Sequence, residues 1–149
     1  MISQRARYAL KALFRLCQNA GDEPLQIRDI AVADSIPQPF LEQILLELKR
    51  AGLVVSRRGK AGGYRIAKPP SEMNLAAVLR VIDGPVAPLP CLSRTAYRRC
   101  ADCADEGACA LRKLFARTYD AMLAELEKAT LADLVEAGGD LPDAAVAAE

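Results

Sequence analysis

The segment IPQPFLEQILLELKRAG, residues 36–52, constrains the fold of this chain more than any other. Two prolines stand at its head, where a helix accepts them because its first N–H groups have no acceptor inside the helix. Phe40, Leu41, Ile44, Leu45 and Leu48 follow at three- and four-residue spacing, a stripe expected to face inward until Gly52 ends the helix. Both ends of this helix are thus set by its own residues, and its neighbours have to be arranged around it.

Upstream, Ala6, Ala9, Leu10, Leu13, Phe14, Leu16 and Cys17 form the apolar stripe of a first helix between Ser3 and Asn19. A shorter second helix, QIRDIAVADS, carries Ile27, Ile30 and Ala31. Two helices, a tight connection and a longer third helix are the order of a helix-turn-helix. Downstream, LVVSRRGKAGGYRIAK reads as a β-branched strand, a basic glycine-rich turn and a second strand with Tyr64 and Ile66 on one side. Charged hairpin tips often serve only solubility. Directly after a helix-turn-helix, however, such a hairpin reads as a wing, with Arg57, Arg58 and Lys60 set to reach phosphates or the minor groove.

The charge distribution agrees with a polyanion partner for this half. Residues 1–70 hold 12 Lys and Arg against 6 Asp and Glu, while residues 71–149 hold 8 against 13, an asymmetry hidden by the net charge of +1. The N-terminus reads as having neither a signal peptide nor a long apolar run, so the expectation is a cytoplasmic chain with no membrane span. There thiols stay reduced, so four of the five cysteines packed into CLSRTAYRRCADCADEGAC, residues 91–109, point to metal binding or redox chemistry. Their spacing is C-x8-C-x2-C-x5-C, and thiolates are soft ligands suited to iron–sulfur clusters or zinc. A disulfide switch between Cys100 and Cys103 is a third reading. Arg94, Arg98 and Arg99 are expected to favour thiolates, as is a helix start at Cys109. Cys17 lies on the apolar side of the first helix and reads as a core thiol. The absence of histidine, of a phosphate-cradling glycine motif and of paired acids argues against an enzyme.

SQRARYALKAL, the LEQ within FLEQILLELKRAGLV, RRGKAGGYRIAK and VIDGP together resemble the Rrf2 family of bacterial transcription regulators over residues 1 to 136. The resemblance implies a mainly α fold with a small β-hairpin, a winged helix-turn-helix, and a long C-terminal helix joining a homodimer. Residues 1–84 would form the DNA-binding domain, 85–109 a sensory loop, 110–136 the dimerisation helix with a short terminal helix, and 137–149 a disordered tail. From Leu111, the stripe of Leu114, Phe115, Thr118, Met122, Leu126 and Ala129 fits such a helix of about twenty residues.

On a double-stranded operator, the resemblance gives Glu42 and Gln43 to base reading, where a glutamine can pair bidentately with adenine. Arg5, Arg7, Arg58, Gly62, Gly63 and Tyr64 match positions that hold the backbone or enter the minor groove. Pro37 and Pro39 replace serines of some members, leaving Gln38 as the polar group of the first turn. Cys91, Cys103 and Cys109 match the cysteines of cluster-binding members and Cys100 is additional. Arg112 and Arg7 stand where other members place a histidine or an acidic ligand, so a cluster here would rest on four thiolates. Some members are cluster-free, which keeps open control by thiol oxidation, zinc or a protein partner.

Overall fold

The computed structural model describes residues 2–19 and 23–139. Helix α1 (Gln4–Gln18) starts at Ser3, whose Oγ accepts from the Ala6 N–H at 3.0 Å. The buried face of α1 is Ala6, Ala9, Ala12, Leu13 and Leu16, and its alanines let neighbouring helices approach closely. Helix α2 (Ile27–Ala33) leads through Ser35 to α3 (Gln38–Arg50), capped by Pro37. The turn holds Ser35 at a positive φ of 53°, a conformation more usual for glycine. Arg15 clamps it from α1, donating Nε and Nη2 to the two Asp34 oxygens at 3.1 and 3.2 Å. Strands β1 (Val54–Arg57) and β2 (Gly63–Ile66) pair antiparallel from Val54↔Ile66 to Arg57↔Gly63. Leu25 adds a bridge to Tyr64, which ties the wing to the segment before α2.

Leu41, Ile44, Leu45 and Leu48 of α3 are fully buried with Leu13 and Ile30. Each such side chain is worth about 1.5–3 kcal/mol on burial, so this stripe anchors the domain. Phe40 departs from the expected inward stripe, for it is 62% exposed. At about 100° per residue it lies roughly 90° from the centre of the buried face.

Helix α4 (Leu75–Asp83), capped by Asn74, ends at Gly84 with φ 80°. The cysteine-bearing stretch follows and then α5 (Ala110–Lys128), which packs Tyr119 and Leu123 with Ala76 of α4. Helix α6 (Leu131–Gly139) returns to the first domain, where Leu131 is wholly buried in the main core. Thr130 and Asp133 cap it reciprocally, with Thr130 N donating to Asp133 Oδ2 at 2.7 Å and Asp133 N to Thr130 Oγ1 at 3.3 Å. The Thr130 N–H and the Thr130 hydroxyl, both donating to Asp133 Oδ2, hold the Asp133 carboxyl below its usual range.

Two boundaries therefore differ from the expectation. The DNA-binding domain is not closed at residue 84, because Leu131 and Leu134 supply apolar surface that α1 needs covered. The tail expected from residue 137 is helical to Gly139, where a side chain on Gly138 would collide with the Phe14 ring. Residues 140–149 lie outside the described residues.

Candidate nucleic-acid interface and cysteine loop

One face of α3 stays in solvent. Gln38, Glu42 and Gln43 are exposed there, with Pro39 and Phe40 in the first turn and Lys49 and Arg50 in the last. Gln38 donates Nε2 to Glu42 Oε1 at 3.0 Å, which satisfies part of the carboxylate and steadies both side chains. Beside α3, the wing contributes exposed Arg57, Arg58 and Lys60 to an open cleft shared with Gln26, Lys49 and Tyr64. Four cations thus line one concavity, a surface that suits a phosphate backbone. Arg7 is exposed on α1.

The two wing glycines have steric duties. A side chain at Gly62 would meet the carbonyl oxygens of Arg57 and Gly59, and one at Gly63, with φ 150°, would strike the Leu25 carbonyl. Their part at an interface is to let the hairpin close and lie against residue 25.

Arg5 has partners within the protein that the sequence does not announce. Its Nη2 pairs with Glu47 Oε1 of α3 and its Nη1 donates to the Ile82 carbonyl at 3.5 Å. The guanidinium spans α1, α3 and the end of α4, so it braces α3.

The cysteine stretch is built from short turns. Pro90–Leu92 forms a 3-10 turn that buries Cys91, and the Pro90 carbonyl accepts from Arg98 N at 3.1 Å, closing the loop. That closure sets Cys100 against Cys91; partial burial, the Cys91 sulfur and the acidic Asp102 together push the Cys100 thiol up. Two of the three arginines expected to favour thiolates are engaged elsewhere: Arg94 pairs with Asp120 at 2.9 Å, and Arg99 donates to the carbonyls of Cys103 and Ala104. Cys103 N donates to the Cys100 carbonyl at 3.2 Å, so the CADC segment is a tight turn. Cys109 caps α5, its Sγ accepting from Arg112 N at 3.5 Å, and the Arg112 guanidinium faces Glu106 at 3.9 Å. Among the described residues, no three Cys, Asp or Glu side chains are gathered as a metal site. Four thiolates suit an iron–sulfur cluster by donor chemistry, but a cluster held by all four requires Cys109 and Cys91 to approach one centre. Cys17 packs against the core, where burial pushes its thiol up to about 11.

The model of the Rrf2 family, described as iron-dependent transcriptional regulator, matches residues 2–137. The chain belongs to the Rrf2 family. A Rhodobacter capsulatus protein named as an rrf2-like HTH-type transcriptional regulator is 48% identical, over 93% of this chain and 94% of that protein. The regulator NsrR of Geobacillus kaustophilus is 33% identical, over 91% of this chain and 89% of its own length. The crystal structure of CymR, the global cysteine regulator of Bacillus subtilis, superposes with a TM-score of 0.75 at 31% identity, covering 92% of this chain and 97% of that one. This Rrf2 protein is accordingly a DNA-binding transcription regulator and not an enzyme, on a winged-helix fold. No helix among its described residues is long and apolar enough to cross a membrane.

Sequence reasoning missed three features of this Rrf2 surface. Lys49 reads as an ordinary helix-ending cation, and only the fold puts it opposite the wing. Gln26 reaches the wing through Nε2 to the Lys60 carbonyl at 3.3 Å. Phe40, read as core, lines a second cleft beside α3.

Proposed function

We propose that this chain is a homodimeric, sequence-specific regulator that reports iron–sulfur, redox or nitric oxide status through Cys91, Cys100, Cys103 and Cys109. The gathering of four thiols in the one stretch joining α4 to α5 carries the reading. The family's description as iron-dependent and the likeness to NsrR support it. An iron–sulfur cluster, when bound, would supply an oxidant-labile centre on these thiolates.

The chain's own residues supply the coupling. Leu92 and Cys91 lie in a turn packed on α5, and Arg94 ties the loop to Asp120 of the same helix. A change in thiol bonding therefore alters how α5 is held against α4. Leu111, Leu114, Phe115 and Met122 leave an exposed apolar stripe on α5, the seam of the proposed dimer. The spacing of two recognition helices follows from that seam, so loop state becomes operator affinity. Gln38, Glu42 and Gln43 would read bases, while Arg7, Arg57, Arg58, Lys60 and Tyr64 would hold the backbone or enter the minor groove.

A specific observation favours a second reading, a cluster-free thiol sensor. Cys91 already adjoins Cys100, and the CymR likeness is to a regulator of cysteine. Zinc on the four thiols is distinguished by the same experiment. Protein purified without air is assayed for visible absorption and for iron, sulfide and zinc per chain, with duplex affinity measured before and after oxidant. Iron and sulfide together with oxidant-sensitive affinity support the cluster reading; colourless, metal-free protein that still responds to oxidant supports the second. Unchanged affinity after replacing all four cysteines by serine would overturn both. Leu114→Glu tests the seam, with monomers expected by light scattering.

A further inference from the structure

We propose that Phe40 is a specificity-determining residue of the DNA interface, reading the C5-methyl group of a thymine in the major groove. The inference rests on the DNA-binding reading of α3 and goes beyond it by assigning a base to an aromatic residue.

Phe40 is 62% exposed, an unusual state for a phenylalanine near the start of a helix whose other large apolar residues, Leu46 apart, are buried. It lines a cleft with Gln4, Arg5, Tyr8, Pro37 and Gln43, between α1 and the first turns of α3. The walls of that cleft are fixed. Gln4 donates Nε2 to the Tyr8 hydroxyl at 2.8 Å, Pro37 caps the helix, and Arg5 pairs with Glu47 one helical face further along. Charge identifies the occupant: α3 ends in exposed Lys49 and Arg50, and Lys49 lines the cationic wing cleft, a setting made for nucleic acid and poor for a basic or neutral protein surface. Within a DNA groove, the one apolar group on a base edge is the thymine methyl, and phenylalanine is among the side chains that contact it.

The spacing sharpens the assignment. Gln43 is three residues on from Phe40, on the same side of α3, a rise of about 4.5 Å that approximates one base-pair step. A glutamine pairs with the N6 and N7 of adenine. Phe40 and Gln43 would therefore read neighbouring base pairs, one presenting a thymine methyl and the other an adenine edge. Phe40 touches the methyl and makes no hydrogen bond, so its contribution is burial of one methyl group. That amounts to a change in affinity of about four-fold.

The test uses the full-length protein and duplexes recovered from a random-sequence 30-base-pair library by repeated selection. Each thymine of the preferred duplex is replaced singly by deoxyuridine, which removes only the methyl group, and affinities are measured by fluorescence anisotropy. Wild-type protein is expected to lose about four-fold at one thymine per half-site. Phe40→Ala is expected to bind the unmodified duplex more weakly by the same factor and to be indifferent to deoxyuridine at that position. Its exposed side chain makes the variant safe for folding, and circular dichroism checks this. Equal wild-type affinity for all deoxyuridine duplexes would overturn the proposal, as would a Phe40→Ala protein that keeps the penalty. Failure to recover any preferred duplex would remove the DNA-reading of α3 itself, and the proposal with it.

Discussion

The winged unit and the cysteine loop are held together by different means. In the winged unit, α1 and α3 bury continuous apolar stripes, capped ends close the helices, and Arg15 and Arg5 lock the turn and α3 in place. In residues 85–109, Cys91 and Ser93 are the buried side chains, and the rest is held by backbone turns and exposed polar pairs such as Tyr97 with Glu106. The contrast fits the division of labour proposed for the two regions. A reader of base edges needs fixed geometry, whereas a sensor needs two states close in free energy, and segments with few buried contacts are where such states are found.

The largest effect that sharpens this comparison is Leu45→Ala in α3. It removes a fully buried side chain and should destabilise the protein by about 2–5 kcal/mol in urea titration. Tyr97→Ala, 59% exposed in the loop, should stay within about 0.5 kcal/mol of wild type. Equal effects would erase the distinction between the two regions.

Gly63→Ala comes next. The added methyl group meets the Leu25 carbonyl at a positive φ, so the wing must shift, with an expected cost of about 1–3 kcal/mol and weakened DNA binding. Wild-type stability in this variant would show that the wing is not braced by residue 25. Thr130→Ala removes half of the α6 cap and should cost about 1 kcal/mol, measured by thermal unfolding. Because Asp133 has a lowered folded pKa, its contribution is present above the unfolded value and fades as pH falls through the folded one. The penalty of Thr130→Ala should therefore shrink in acid.

The smallest effect is kinetic. Cys17, with its thiol near 11, should be alkylated by iodoacetamide at pH 8 more slowly than Cys100 and Cys103, as followed by mass spectrometry. Raising the pH from 9 toward 11 should speed its labelling, since the thiolate forms only in that window. Early labelling of Cys17 would mean that α1 opens more readily than the loop.

Much of the fold was legible because it is written in local patterns. Prolines before α3, glycine after it and three-and-four spacing along it mark a helix without reference to any partner. Strand pairing in the wing follows from a β-branched run, a glycine turn and a second segment carrying Tyr64 and Ile66. The candidate site was read from the sequence at Gln38, Glu42, Gln43 and the wing cations, and the fold leaves these side chains exposed on α3 and the hairpin. It was misread at Phe40, because apolar identity and near-correct spacing say core, while exposure depends on whether another element covers the first turn. The partner of Arg5 was hidden for a related reason: Glu47 lies 42 positions away in sequence, and only packing brings it within reach.

By itself, then, the sequence determined the order of helices, the wing, the basic surface and the crowding of four thiols into one stretch, since each rests on neighbours along the chain. Only the tertiary structure decided which side chains meet. It returned α6 to cover α1, committed Arg5 to Glu47, placed Lys49 opposite the wing, set Cys91 against Cys100 and left Phe40 in solvent. The physical reason is that burial and pairing are properties of three-dimensional neighbourhoods, settled by which apolar surfaces find cover first and which charges are left within reach of one another.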